Sequence, residues 1–210
     1  MSARINSIWQ RLKYEAHVFF IDHGMFRALY RNKAQIAPGV YRSNYPTSAQ
    51  IMRLKRQGVN TILSLRGQFD GAFNALERDA CERHGVALMF VSLGAREAPK
   101  ARQILDLLKT FKEIDLPFLM HCKSGADRAS LASAIYLIAI EGKSVAEARQ
   151  MFSVRFIHFK WTKTGILDMF LDMYEERLEQ GPIAFQDWVA DEYDPEALTH
   201  RFAKRRITSR

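Results

Sequence analysis

The sequence has few cysteines and no long apolar run. Its 210 residues contain two cysteines, Cys81 and Cys122, which are too few for a disulfide framework. No Cys and His spacing matches a metal-ligand pattern, so the sequence predicts no metal site and no other cofactor. The longest early apolar run, Val18–Ile21, is too short for a signal-peptide core or a membrane span. These absences predict a cytoplasmic protein with reduced thiols.

Positive charge is concentrated in the first quarter of the chain. The net charge is +8, and residues 1–56 carry all of that excess, with ten basic and two acidic side chains. A pI near 9.6 is common among nucleic-acid-binding proteins. The chain nevertheless has no basic ribbon interleaved with aromatic residues, no zinc-ligand spacing and no recognition-helix pattern. The sequence therefore predicts that nucleic acid is not a partner.

The N-terminal segment predicts a basic amphipathic helix that stops near Gly24. Its apolar side chains recur at the spacing of one helix face, at Ile5, Ile8, Trp9, Leu12, Ala16, Phe19 and Phe20. Such a helix can dock on the rest of the protein. It can also lie on anionic lipid, which would place the protein peripherally at the inner face of the membrane. The sequence leaves both alternatives open.

Short apolar runs alternate with helical segments after Pro38-Gly39. Strands are predicted at 40–43, 59–65, 86–93 and 118–121, and helices at 47–57, 73–84, 100–114, 129–140, 144–152 and 166–178. This order predicts an α/β fold with a largely parallel central sheet of four to five strands flanked by helices. The predicted organisation is an N-terminal segment over residues 1–34, one domain over 35–180, and a helical, basic tail over 181–210.

The junction between the strand at 118–121 and the helix that follows it is the candidate site. Cys122 ends the strand, and Arg128 stands at the start of the helix. Small residues occupy three of the positions between them: Ser124, Gly125 and Ala126. They allow the backbone N–H groups to turn inward and form an anion nest, whose field adds to that of the helix N-terminus. The nest fits a phosphoryl group and favours a thiolate at Cys122, and Arg128 can clamp two phosphoryl oxygens.

The residues His121 to Arg128 read His-Cys, five residues, Arg. This pattern resembles the signature of the cysteine-dependent protein tyrosine and dual-specificity phosphatase superfamily. Tyr41-Arg42-Ser43 with Pro46, and Leu65-Arg66-Gly67, are similar to the opening strands of its small bacterial dual-specificity-like members. The resemblance covers residues 35–180. It implies phosphomonoester hydrolysis through a cysteinyl-phosphate, without a metal.

The resemblance also implies a role for each residue of the motif. Cys122 would attack phosphorus, an acid would protonate the leaving oxygen, and water would then hydrolyse the phosphocysteine. His121 would orient the loop and help to hold the thiolate. The phosphate would be bound by the loop that follows the cysteine: Lys123, Ser124, Gly125, Ala126, Asp127 and Arg128. Cys81 lies outside the motif, and its place on a helix beside apolar residues predicts core packing.

The sequence departs from the family pattern at two places. Ala129 stands where the family commonly has Ser or Thr, and the hydroxyl comes one residue later, at Ser130. The family's general acid is usually an Asp about 30 residues before the cysteine, but residues 91–97 contain no Asp. Three carboxylates are candidates for the acid: Asp127, which is favoured, as in the myotubularin-like lipid phosphatases, and Asp70 and Glu97 as alternatives.

Phosphorylated proteins are the substrates that the resemblance implies first. Lys123, Asp127 and the basic front suggest a phospholipid or a lipid-linked sugar phosphate as the alternative substrate. Ala129 and the missing Asp suggest a third hypothesis, a module that binds a phospho-group without catalysis. Binding needs only the nest and Arg128, whereas catalysis also needs a proton donor.

Overall fold

The computed structural model describes residue 5 and residues 7–18 and 30–208, with side chains up to residue 205. The chain forms two compact units. The first contains the described residues up to Ser92 together with Ile114–Gly125. The second contains Leu93–Glu113 and the residues from Ala126 onward.

A five-stranded sheet forms the centre of the first unit. Its strands are β1 (Ala34–Ala37), β2 (Val40–Ser43), β3 (Thr61–Ser64), β4 (Ala87–Phe90) and β5 (Phe118–His121). The order across the sheet is β1-β2-β5-β3-β4, and every neighbouring pair is parallel except β1 with β2. The predicted α/β class with a largely parallel sheet is therefore confirmed.

The three central strands end at the same edge of the sheet. His121 is in register with Ser43 on one side and with Ser64 on the other. All four residues of β5 are buried, as expected for a central parallel strand. Cys122 therefore begins its loop at the carboxyl edge of the sheet, where ligands bind in open α/β folds.

Three helices belong to the first unit: α1 (Ile8–Ala16), α2 (Ser48–Arg56) and α3 (Ala72–His84). Thr47 and Gln50 form a capping box at the start of α2, and Gly85 ends α3 in the left-handed conformation. Cys81 of α3 lies in a buried apolar cluster with Ile51 and Leu119, as predicted. Burial, and then the negative charges of Glu77 and Glu82, raise the pKa of its thiol to about 12.

The N-terminal helix is confirmed over Ile8–Ala16, where Ser7 caps its first turn. Arg11 forms an ion pair with Asp79 of α3 at 2.6 Å, so the two helices are joined by a charged pair. Its large apolar side chains remain exposed, with Ile8 at 77% and Trp9 at 81%. Phe19, Phe20 and the stop at Gly24 lie outside the described residues.

The second unit is helical. It contains α4 (Ala101–Glu113), α5 (Asp127–Ala139), α6 (Val145–Arg149), α7 (Ile166–Leu178), α8 (Phe185–Asp191) and α9 (Pro195–Thr208). Two 3₁₀ turns, Val154–Phe156 and Lys163–Gly165, lie between α6 and α7. The helical C-terminal part is therefore confirmed. Within the described portion of the chain, no helix is long and apolar enough to span a membrane.

Candidate active site

Cys122 and His121 lie at the carboxyl end of β5, and both are buried. The Nδ1 atom of His121 donates to the carbonyl oxygen of Cys122 at 3.2 Å, because a carbonyl can only accept. Its Nε2 atom contacts the carboxylate of Glu77 on α3, in a pair that is fully buried. The imidazole is therefore held by a hydrogen bond at Nδ1 and lies against the Glu77 carboxylate at Nε2. Glu77 was not predicted from the sequence, since a helical Glu is usually a solvent-exposed residue.

Five consecutive carbonyl groups of the loop accept hydrogen bonds from the first unit. Besides the Cys122 carbonyl, the bonds are Leu65 N–H to His121 at 2.9 Å, Tyr45 N–H to Lys123 at 3.3 Å, Asn32 Nδ2 to Ser124 at 2.9 Å and Arg42 to Gly125 at 2.5 Å. In a trans peptide the N–H points opposite to the carbonyl. Three of these carbonyls, on Lys123, Ser124 and Gly125, bond to residues in and around β2, so the N–H groups that follow them point away from that side, as in an anion nest.

Gly125 is required by both its backbone conformation and its surroundings. Its φ angle is +70°, in the left-handed region that disfavours other residues. A Cβ atom there would lie 2.6 Å from the backbone nitrogen of Asn44 and 2.7 Å from the carbonyl carbon of Ser43. The close approach of the loop to the end of β2 therefore depends on glycine.

Arg42 of β2 is a site residue to which the sequence analysis assigned no role. It is completely buried, and its guanidinium donates to the Gly125 carbonyl. Burial lowers the pKa of Arg42 to about 10, while the negative charge of Cys122 acts in the opposite direction. The arginine thus places a positive charge close enough to Cys122 for the two groups to interact electrostatically. The available signal in the sequence was a charged residue inside a predicted strand.

Asp127 and Arg128 begin α5 in the second unit, two residues before the predicted start of that helix. The Oδ1 atom of Asp127 lies 2.8 Å from His158 Nδ1, and His158 Nε2 lies 2.7 Å from Asp168 Oδ2. Burial opposes protonation of His158, but the hydrogen bonds and charges of the two aspartates outweigh it and raise its pKa to about 9. His158 is therefore a cation at neutral pH and donates to both carboxylates.

A cavity of about 370 Å³ in the second unit is partly lined by Asp127. Arg96 and Lys163 also line it, and neither has a carboxylate partner among the described residues. The other two candidate acids, Asp70 and Glu97, are both exposed. Asp70 lies in the loop before α3, and Glu97 packs against Gly94. Of the three candidates, only Asp127 has a buried hydrogen-bond partner in the part of the chain that the structure describes.

Comparison with known proteins adds the decisive observation. Residues 28–165 match a family described as DSP-PTPase phosphatase fused to NAD⁺ kinase. The chain belongs to this DSP-PTPase phosphatase family. The dual specificity protein phosphatase TpbA of Pseudomonas aeruginosa is 28% identical over 113 residues, which are 53% of this chain and 48% of TpbA. The chain thus spans about half the length of the curated relatives that it matches.

Solved structures agree with this family on the fold. The crystal structure of P. aeruginosa TpbA is 20% identical, with a TM-score of 0.56, and the match covers 82% of this chain and 91% of TpbA. A TpbA complex with pTyr is 22% identical, with a TM-score of 0.55, and covers 71% of this chain and 91% of that one. A putative phosphatase from Shewanella putrefaciens is 18% identical, with a TM-score of 0.53, and covers 70% and 95%.

The helix that follows the loop departs from the DSP-PTPase pattern in the structure as in the sequence. Ala129 and Ser130 are both fully buried on α5. Arg128, Lys123 and Ser124 are half-buried. Among the described residues, no group of three or more His, Cys, Asp or Glu side chains could hold a metal ion.

Proposed function

We propose that this protein hydrolyses phosphomonoesters through a cysteinyl-phosphate formed on Cys122. The observation that carries the proposal is the set of three consecutive loop carbonyls, Lys123 to Gly125, that bond to residues in and around β2. Their bonds turn the N–H groups that follow toward the opposite side, where they can receive phosphoryl oxygens. The buried guanidinium of Arg42, on β2, interacts electrostatically with Cys122. Both features favour an anion at this end of the sheet.

The loop residues then divide the chemistry between them. The Cys122 thiolate attacks phosphorus, and the bond from phosphorus to the ester oxygen breaks. Arg128 and the N–H groups of residues 123–127 bind the phosphoryl oxygens and the charge that develops on them. His121 holds the Cys122 carbonyl and so orients the nucleophile's peptide. Water then attacks the phosphocysteine, releases inorganic phosphate and regenerates the thiolate.

Asp127 is the proposed proton donor. It gives a proton to the leaving oxygen in the first step and takes one from the attacking water in the second, so the proton balance closes over the cycle. Its place at the start of α5, directly before Arg128, and the adjoining cavity favour it over Asp70 and Glu97. Both alternatives are exposed.

Phosphorylated proteins are the proposed substrates. Support comes from TpbA, which is named a dual specificity protein phosphatase and has been solved with pTyr. Family membership likewise favours catalysis over a module that only binds a phospho-group. A phospholipid or lipid-linked sugar phosphate is the competing substrate class, and the assay below includes it.

The test compares an aryl phosphate that has an acidic phenol with an alkyl phosphate. Wild type should turn over both, and Cys122→Ser should turn over neither. Asp127→Asn should lower alkyl-phosphate turnover by about 100-fold and largely spare the aryl ester, since an acidic phenol hardly needs a proton. Asp70→Asn and Glu97→Gln are the matched controls and should leave the ratio of the two rates unchanged.

The results separate the hypotheses. Equal losses of turnover on both esters in Asp127→Asn would indicate a structural role for Asp127. The general acid would then be assigned to Asp70 or Glu97. No wild-type turnover of either ester, with vanadate still bound, would favour a non-catalytic binding module. Faster turnover of phospholipids than of phosphopeptides in the same assay would identify a lipid substrate.

We further propose that α1 brings the protein to anionic membranes. Its apolar side chains Ile8, Trp9 and Leu12 are exposed on a helix that also carries Lys13. Exposed aliphatic and indole groups beside basic residues are typical of helices that lie at a lipid interface. The Arg11–Asp79 ion pair keeps the helix against α3 while this apolar face stays outside.

Liposome binding tests the membrane proposal. Wild type should bind anionic vesicles, and binding should weaken steeply as salt is raised. The double variant Ile8→Ser, Trp9→Ser should lose most of this binding, whereas Trp161→Ser, which removes a comparably exposed indole in the second unit, should retain it. Binding that survives the double variant would show that α1 is not the lipid-contacting element.

The family match also supports the predicted extent of the catalytic domain. The match runs from residue 28 to 165 and so includes sequence from both units. We therefore retain residues 35–180 as one phosphatase domain, preceded by the segment 1–34 and followed by the tail 181–210. A reducing cytoplasmic compartment is retained with it, because both cysteines are free.

A further inference from the structure

We propose that His158, held by Asp168, is a positioning residue that determines which oxygen of Asp127 carries the catalytic proton. The inference rests on the proposed function, because it concerns the proton that Asp127 gives and takes. It extends that function to His158 and Asp168, which lie outside the phosphate loop. All three side chains belong to the second unit.

The hydrogen bonds of His158 assign the roles of its neighbours. Its ring is 2% exposed, and each nitrogen lies within 2.8 Å of one carboxylate oxygen. When both nitrogens carry hydrogen, Oδ1 of Asp127 can only accept. A proton on Oδ1 would face the hydrogen on Nδ1 across that short distance. Any proton on Asp127 is therefore directed to Oδ2.

The second oxygen of Asp127 is available for that proton. Oδ2 has no hydrogen-bond partner within the described part of the second unit. The side chain is 23% exposed and lines the cavity that also contains Arg96 and Lys163. Because His158 occupies Oδ1, a leaving oxygen or an attacking water would exchange its proton with Oδ2. His158 thus specifies one donor oxygen for both chemical steps.

Asp168 completes the arrangement. Its Oδ2 accepts from Nε2, so its negative charge offsets the imidazolium and leaves the ring in one orientation. Phe152 packs edge-on to the ring, with 4.9 Å between the centroids. Ile157, directly before His158, has a φ angle of +59°, a strained value for a β-branched residue. Strain of this kind persists only where the surroundings hold the segment in place.

Charged side chains line the cavities beside both aspartates: Arg96 and Lys163 near Asp127, and Arg149, Lys160, Asp172 and Arg205 near Asp168. Asp127 comes from α5 and Asp168 from α7. Arg149 and Lys160 line a cavity beside Asp168, but Arg149 is paired with Asp172 and Glu175. The two aspartates are the groups in hydrogen-bond contact with the ring, so their removal is the direct perturbation.

The experiment measures kcat/KM for the alkyl and the aryl phosphate in His158→Gln, with His200→Gln on the exposed face of α9 as the matched control. We expect His158→Gln to lower alkyl-phosphate turnover at least tenfold and to change aryl-phosphate turnover less than threefold. Asp168→Asn, which keeps the shape and an accepting oxygen, should shift the ratio in the same direction. His200→Gln should leave the ratio unchanged.

A double-mutant cycle distinguishes positioning from a general structural effect. In an Asp127→Asn background, His158→Gln should cause no further loss on the alkyl ester, because its effect passes through Asp127. Losses that multiply, or an equal loss on both esters, would overturn the inference. If Cys122→Ser hydrolyses the esters at the wild-type rate, the proposed function is wrong, whatever the result for His158.

A spectroscopic measurement tests His158 without relying on activity. The ¹⁵N shifts of the His158 ring should show both nitrogens protonated at pH 7 in the full-length protein, and Asp168→Asn should lower the pH at which one proton leaves. A ring with one unprotonated nitrogen at pH 7 would overturn the inference, since Oδ1 would no longer be held as an acceptor.

Discussion

At the scale of single residues, Gly125 is a position where the structure strongly disfavours substitution. Its left-handed φ and the close backbone atoms of Ser43 and Asn44 act together, so Gly125→Ala should reduce the free energy of unfolding by about 2 kcal/mol or more. It should also weaken vanadate binding, because the loop must move away from β2. Gly85→Ala is the control: Gly85 has a φ of +62°, but a Cβ atom there would meet nothing within 4 Å, so the cost should be about 1 kcal/mol.

Urea unfolding of the two variants, each with a vanadate titration, checks this prediction. Gly85→Ala should keep the wild-type affinity for vanadate, since Gly85 caps the end of α3 and is not part of the phosphate loop. Equal unfolding free energies and equal vanadate affinities in the two variants would show that the crowding around Gly125 does not hold the loop.

Arg42 provides the second residue-scale prediction. Removing a buried positive charge that acts on Cys122 should disfavour the thiolate, so Arg42→Met should slow alkylation of Cys122 by iodoacetamide at pH 6 about tenfold. A neutral reagent avoids a change in electrostatic attraction to the reagent itself. Arg42→Lys keeps the charge and should react closer to the wild-type rate.

Exposed Arg53 on α2 supplies the matched control, Arg53→Met, which should react like wild type. Peptide mass spectrometry separates modification at Cys122 from modification at Cys81. Unchanged alkylation of Cys122 in folded Arg42→Met would contradict the assigned role of Arg42.

At the scale of elements, β5 and the helix α7 could be predicted more accurately than the side chains that support the loop. The strand Phe118–His121 and the helix Ile166–Leu178 have the predicted bounds, since each is a strongly apolar or strongly periodic segment with clear end signals. β1 was missed because four residues before a Pro-Gly turn give too short a pattern. The start of α5 was placed late because its first two residues are charged.

His158 links the 3₁₀ segment before it to α5 and α7, and its titration gives an element-scale prediction. Its folded pKa of about 9 exceeds the ordinary value of 6.5, so the folded state holds the proton more tightly than the unfolded chain. The resulting stabilisation, about 3 kcal/mol, is complete below pH 6.5 and is lost as pH rises through 9.

Measuring the free energy of unfolding from pH 6 to 9.5 checks whether stability falls as pH rises. Wild type should become less stable across that range, and His158→Gln should show a flatter dependence. A wild-type curve that stays level or rises between pH 6.5 and 9 would contradict the ion pairs between His158 and the two aspartates.

At the scale of the whole molecule, the family and the fold class could be predicted from the sequence, but the network around the site could not. The motif from His121 to Arg128 is local in the chain, and its residue types carry the chemistry directly. Glu77, Arg42 and His158 reach the loop through tertiary contacts from distant positions. A single sequence does not show which residues pair in this way, because an Arg or a Glu taken on its own is most often a surface residue.

Ala129 has a consequence for the complete catalytic cycle. In this position a Ser or Thr hydroxyl could stabilise the thiolate that leaves in the second step, and alanine has none. Hydrolysis of the phosphocysteine should therefore be slow relative to its formation, and the intermediate should accumulate during turnover. The accumulated intermediate makes a direct test of the mechanism practical.

The central claim is that Cys122 becomes phosphorylated during turnover. The decisive measurement is an acid quench of the full-length protein during hydrolysis of an aryl phosphate, followed by peptide mass spectrometry. The account predicts one added phosphoryl group on the Cys122 peptide, localised to sulfur and absent from Cys122→Ser. Turnover that proceeds with the phosphoryl group on another residue, or that continues in Cys122→Ser, would contradict it.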